Sequence, residues 1–184
     1  MEYAVHHQEH LKGLVISNMM SSAPAYNAYA RDVLMPAMDQ DALHEIQRFE
    51  EAGTTSDPRY EQLLMAHHYV QHVCRIPLDE WPEPVVRGFG HINPSIYVPM
   101  QGPSELGLKG ALEDWDRSGD LRDIAVPTLV IGATHDTMDP EHMRWMSEQM
   151  PNGSFLLCPN GSHLSQFDDP NHYFPGLIDF LRGL

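Results

Sequence analysis

Asp136 and His163 are the two side chains whose types and settings together suggest chemistry. Asp136 follows the apolar, β-branched run Val126-Pro-Thr-Leu-Val-Ile-Gly132 across a short turn. His163 follows a second short run, Ser154-Phe-Leu-Leu157, across Pro159-Asn-Gly-Ser-His163. The C-terminal ends of parallel strands are where α/β folds place catalysts. A carboxylate there can accept the Nδ1 proton of an imidazole, fix its tautomer and leave Nε2 as a general base. On its own spacing Asp136 reads better as a turn cap; its pairing with the Gly-Ser-His turn shifts the reading to catalysis. Acid before histidine is how a chain ordered Ser, Asp, His would end. Yet no Gly-x-Ser-x-Gly occurs in the sequence. The nucleophile is expected N-terminal to Asp136, in a segment that the chain starts too late to contain.

Other residues carry weaker signals. Glu105 ends the Pro/Gly-rich stretch Tyr97-Val-Pro-Met-Gln-Gly-Pro-Ser-Glu105. A carboxylate there could face a pocket and hold a cationic group, although composition alone makes it a solvated Glu. The pairs His6/His10 and His68/His72 have the helical spacing that can chelate zinc. Neither has a Glu directly after its first histidine, so both read as solvated helix surface, and no metal or cofactor is expected. Met19, Met20, Met35 and Met38 read as core filler. Trp115 reads as a packing anchor rather than a substrate contact.

The elements that must position these residues follow from periodicity. Residues 1–10 look like the tail of a helix with no cap at its front, as truncation would leave it. Lys12-Gly13 breaks it, and Leu14-Val-Ile16 makes a short buried strand. From Pro24 to Ile92 apolar residues recur at helical spacing, with Gly53 to Pro58 separating two helices and Pro77, Pro82 and Pro84 ending the third. Thr128–Ile131 is a continuous apolar run, the signature of a strand covered on both faces. Asp139-Pro140 opens a helix to Met150, Ser154–Leu157 is a strand, and Tyr173–Leu181 is an amphipathic helix. Alternating strands and helices predict parallel strands with right-handed crossovers.

Composition bounds the rest. A formal net charge of −15 argues against nucleic acid or an anionic membrane as partner. No apolar run approaches a membrane span. Cys74 and Cys158 are the only cysteines and form no CxxC, so a reducing cytoplasm is the default.

Several stretches resemble proline iminopeptidases, also called prolyl aminopeptidases: Leu11-Lys-Gly-Leu-Val-Ile-Ser-Asn-Met-Met-Ser-Ser-Ala-Pro24, Pro99–Glu105, Asp114-Trp-Asp, Pro127 through Asp136, and the turn ending at His163. The resemblance runs over essentially the whole chain. It implies the C-terminal part of an α/β-hydrolase parallel sheet with an inserted all-helical cap. The expected division is a core of residues 1–20 and 101–184 and a cap of residues 21–100. It further implies serine-peptidase chemistry releasing an N-terminal residue, preferably proline, from short peptides with a free N-terminus. Asp136 matches the triad acid, His163 the base, Glu105 the cap glutamate that binds the substrate's α-amino group, and Tyr97 a pocket tyrosine. Thr137 stands where some members carry a second acid. The family's His-Gly-Gly-Pro-Gly oxyanion loop and nucleophile elbow do not occur, so the 184 residues alone are expected to be inactive and to self-associate through an unpaired sheet edge. Two other readings stand beside this one: a non-catalytic fragment or binding module, and an α/β-hydrolase acting on other amides or esters.

Overall fold

A computed structural model describes residues 1–184. Three parallel strands run side by side in the order β1 (Leu14–Ser17), β2 (Thr128–Ala133), β3 (Gly153–Cys158). β1 pairs with β2 from Leu14↔Thr128 to Ser17↔Ile131, and β2 with β3 from Thr128↔Gly153 to Ala133↔Cys158. Every residue of β2 is buried, as its unbroken apolar run predicts for a strand covered on both faces. Side-chain alternation splits the sheet's two faces. Ile16 and Val130 join a cluster with Met143 and Met146, whereas Leu129 and Ile131 pack with Tyr173, Leu177 and Phe180.

The helices begin and end where the sequence supplies caps. α1 (Glu2–His7) ends in a 3-10 turn over Gln8–His10, so the expected ten-residue helix is shorter than its pattern. α2 (Ala23–Tyr29) starts at Ser22, whose hydroxyl accepts from Ala25 N at 3.2 Å. It runs on through a wide π turn, Ala30–Leu34, to Met35–Ala37. α3 (Gln40–Ala52) is capped by Asp39, which accepts from Ala42 N at 2.9 Å, and closes on Gly53 at φ +66°. That left-handed conformation is one glycine adopts at little cost. α4 (Pro58–Leu64) continues through a second π turn, Met65–Tyr69, to His72. α5 (Glu83–Gly90) and α6 (Pro94–Gln101) follow.

Two details depart from the sequence reading. Pro84 sits in the first turn of α5 and so opens a helix, because its missing N–H has no partner to lose there. The first part of the stretch read as Pro/Gly-rich, Tyr97–Gln101, is helical and belongs to α6: Asn93 caps that helix, accepting from Ser95 N at 3.0 Å, and Pro99 is held inside it. Tyr97 therefore stands on a helix. The segment from α2 to α5 encloses its own apolar cluster, from Ala30 and Leu34 through Ile46, Tyr60 and Trp81, which Leu106 joins. α7 (Pro140–Gln149) and α9 (Pro170–Arg182) flank the sheet, with the single turn α8 (Ser165–Asp168) between β3 and α9. No helix is long and apolar enough to cross a membrane.

Candidate active site

The turns that follow β2 and β3 are stitched together: Thr134 N donates to Cys158 O at 3.2 Å, and His135 N to Gly161 O at 3.1 Å. This brings Asp136 and His163 to one end of the sheet, where His163 Nδ1 lies 2.9 Å from Asp136 Oδ1. Asp136 is fully buried. Its Oδ1 also accepts from Met138 N at 3.1 Å and Thr137 Oγ1 at 3.3 Å, and its Oδ2 from Asn18 Nδ2 at 2.6 Å. The His163 turn is fastened to the end of the α4 segment, with His163 N donating to His72 O at 3.0 Å and Leu164 N to Val73 O at 2.8 Å. Asp168 holds Ser162 from below by accepting its backbone N–H and its hydroxyl.

Burial opposes a charge on His163, yet the Asp136 carboxylate, by its charge and its hydrogen bond, outweighs that opposition and raises the imidazole to about 9. The charges of Glu105 and Asp168 add to the rise. Nδ1 is thereby the protonated nitrogen facing Asp136. Nε2 makes no hydrogen bond within the chain, and His163 keeps 24% of its side chain exposed.

His163 and Glu105 line the same cavity, of about 340 Å³, whose walls are Met19, Met20, Leu108, Trp115 and Met138. Glu105 is the only carboxylate among its lining residues. That carboxylate accepts from Tyr97 Oη in a short hydrogen bond and from Gln101 Nε2 at 3.4 Å. Burial, then the charge of Glu105, pushes the Tyr97 phenol well above its usual range, so Tyr97 stays a neutral donor. The backbone of Glu105 is clamped as well. Tyr26 Oη donates to its carbonyl at 2.6 Å, His68 Nε2 lies 3.1 Å from the same oxygen, and Glu105 N donates to Tyr69 Oη at 3.2 Å. Burial lowers His68 to about 4 and keeps it neutral, so Nε2 carries the proton that the carbonyl accepts.

The sequence was compared with known proteins. No family model matches it. A proline iminopeptidase of Chitinophaga pinensis is 46% identical over 99% of the chain, and one of Flavobacterium johnsoniae is likewise 46% identical over 99%. The chain is a relative of the proline iminopeptidases, among the α/β-hydrolases. It spans 61% of the length of those two relatives. Among solved structures, VinJ superposes with a TM-score of 0.91 at 29% identity, covering 100% of this chain and 61% of its own. The proline iminopeptidase of Mycobacterium smegmatis gives 0.83 at 28% identity, covering 99% and 60%.

Of the four residues singled out from the sequence, His163 and Glu105 line this cavity; Asp136 lies behind His163, bonded to its Nδ1, and Tyr97 lies behind Glu105, bonded to its carboxylate. Trp115, read as a packing anchor, is also a wall of the cavity, and its Nε1 donates to Glu2 Oε1 at 2.7 Å. The histidine pairs bring no third ligand-type side chain with them. A larger cavity of about 700 Å³ lies within the helical unit, with Glu61 its only charged lining residue and no histidine. Sequence reading missed Asn18, Tyr26, His68 and Tyr69. Asn18 carried a usable signal, because it follows the apolar run of β1 as Asp136 follows that of β2.

Proposed function

We propose that these 184 residues supply the acid, the base and the amine anchor of a serine peptidase that releases an N-terminal residue, preferably proline, from short peptides. One observation carries the reading: His163 is bound to Asp136 through Nδ1, its Nε2 is unbonded, and the cavity it lines contains a single carboxylate, Glu105. In this scheme residues 21–100 form the cap, and Glu105, aligned by Tyr97, receives the ammonium of the substrate. A Ser hydroxyl attacks the first peptide carbonyl while Nε2 of His163 takes its proton. Asp136 stabilises the imidazolium, which then protonates the leaving amine as the C–N bond breaks, and water hydrolyses the acyl-enzyme.

The nucleophile comes, on this reading, from residues outside these 184. Ser17 and Ser22 line the cavity, but Ser17 Oγ is committed to Asn18 Oδ1 at 2.8 Å and Ser22 Oγ accepts from Ala25 N. Neither bonds His163. A base must also be neutral, whereas Asp136 holds His163 charged up to about 9. Residues covering its exposed quarter would add to burial, the influence that already opposes the charge, and bring the imidazole into a base's range.

A second reading is favoured by Thr137. It stands, fully buried, 3.3 Å from His163 Nδ1, and Glu105 is left without a second acid among the cavity's lining residues. A weaker hold on the amine fits a hydrolase of broader amides or esters.

The test is hydrolysis of a prolyl arylamide. The 184-residue chain is expected to stay at background, and a form extended upstream through a nucleophile elbow to turn over. In a triad enzyme, loss of the nucleophile costs about 10⁶ in turnover. In the extended form His163→Ala abolishes activity, and Glu105→Gln harms substrates with a free amine while sparing N-blocked or ester ones. Turnover by the 184 residues, lost on mutating one of their own serines, refutes the external nucleophile. Equal harm to both substrate classes refutes the amine anchor and leaves the broader hydrolase.

A further inference from the structure

The backbone of β1 keeps its pairing one residue beyond the strand, with Asn18 N donating to Ile131 O at 2.8 Å. At that residue φ swings to +51°, the only positive φ of a non-glycine in the chain. Asparagine tolerates the left-handed conformation because its short amide can hydrogen-bond locally. Such backbone outliers concentrate at functional sites.

The swing carries the amide inward, where Asn18 is buried and all four of its hydrogen-bonding positions are used. Nδ2 donates to Asp136 Oδ2 at 2.6 Å and to Ser162 O at 3.1 Å. Oδ1 accepts from Ser17 Oγ at 2.8 Å and Ser165 Oγ at 3.1 Å. A flipped amide would set its oxygen against a carboxylate and a carbonyl, so the network itself fixes the orientation.

We propose that Asn18 is a positioning residue for the Asp136–His163 pair, bracing the carboxylate and the histidine turn together from the end of a third strand. The proposal rests on the reading of Asp136 and His163 as acid and base. A carboxylate gripped at Oδ1 by His163 and at Oδ2 by Asn18 cannot rotate about its Cβ–Cγ bond without losing one of them. Ser162 directly precedes His163, so the second amide hydrogen fixes the turn from which the imidazole projects. One side chain thus holds both partners in register. Glu105 and Asp168 also face His163 with negative charge, but neither bonds its imidazole.

The experiment follows the His163 side chain by ¹⁵N and ¹H NMR in the wild type, Asn18→Gly, Asn18→Ala and Asp136→Asn. Glycine keeps the left-handed backbone and deletes the brace; alanine deletes the brace and strains the backbone. Either variant, whichever folds the better, should lower the His163 midpoint by about one pH unit or more, a tenfold loss of preference for the imidazolium. Its Nδ1 proton should exchange faster with solvent. A purely structural residue would lower the melting temperature and leave both readouts unchanged. In the extended, active form, Asn18→Gly should reduce kcat on the order of 10- to 100-fold with KM nearly unchanged, the cost of a misplaced catalytic group. Wild-type titration and exchange in a folded Asn18→Gly overturn the proposal. If Asp136→Asn also leaves His163 unmoved, the acid–base reading falls first, so the two failures are distinguishable.

Discussion

Replacing Asp136 by Asn tests the ion pair through stability rather than activity. His163 rises from an ordinary value near 6.5 to about 9 in the folded chain. At roughly 1.4 kcal/mol per pH unit, that rise is worth about 3 kcal/mol. A group whose midpoint is higher folded than unfolded stabilises the fold fully below its unfolded midpoint, here about pH 6.5. The contribution drains away as pH climbs through about 9, where the folded imidazole also gives up its proton. His163 is three-quarters buried, so solvent screening removes only part of the effect. The variant has two consequences. One is independent of pH: an amide at 136 cannot satisfy both Asn18 Nδ2 and the Oδ1 donors as a carboxylate does, which costs ~1–3 kcal/mol. The other is the loss of the linkage. Urea melts at about pH 6 and about pH 10 separate them, because the wild type should lose about 3 kcal/mol more over that interval than Asp136→Asn does. Tyr and Lys residues titrate in both proteins and cancel in the difference. Equal pH dependence in the two proteins would show that Asp136 does not hold His163 charged.

Two further outcomes follow from the sheet. A Cβ at Gly153 would sit 2.0 Å from Ser147 O, a backbone atom of α7 that cannot step aside without lifting the helix off β3. Gly153→Ala should therefore destabilise by ~3 kcal/mol, the upper end for overpacking, and a urea midpoint like the wild type's would refute the close approach. β1 bonds only β2, leaving its other edge without a strand, and such edges template association. Sedimentation should find the 184 residues self-associating, with Leu14→Lys or Val15→Lys reducing it; a monodisperse, cooperatively melting monomer at high concentration counts against the edge.

The parts of this fold that were legible in the sequence are those set by short-range rules. β2 announced itself through an unbroken apolar run, and α7 through Asp139-Pro140. Asp136 and His163 were singled out because each follows such a run across a short turn, and the two strands are neighbours in one parallel sheet. Tyr97 was read as part of a Pro/Gly-rich stretch but stands on a helix, since Pro99 and the nearby glycine mask a helix whose start is fixed by Asn93. No local rule marks Tyr26, His68 or Tyr69 as supports of Glu105, because each meets it across a long sequence separation.

Asn18 shows why the remainder was hidden. Its type and place after β1 were visible, yet three of its four side-chain partners, Asp136, Ser162 and Ser165, lie far along the chain. Its positive φ is likewise visible only in the folded chain. The candidate acid and base lie in turns just beyond strands whose pattern can be read. The residues that hold them in place are chosen by tertiary packing, which fixes their geometry only once the strands have met. The candidate site is therefore more legible in its proposed acid and base than in their supports, and substitutions at the supports are where sequence-based expectation and measured function should part most.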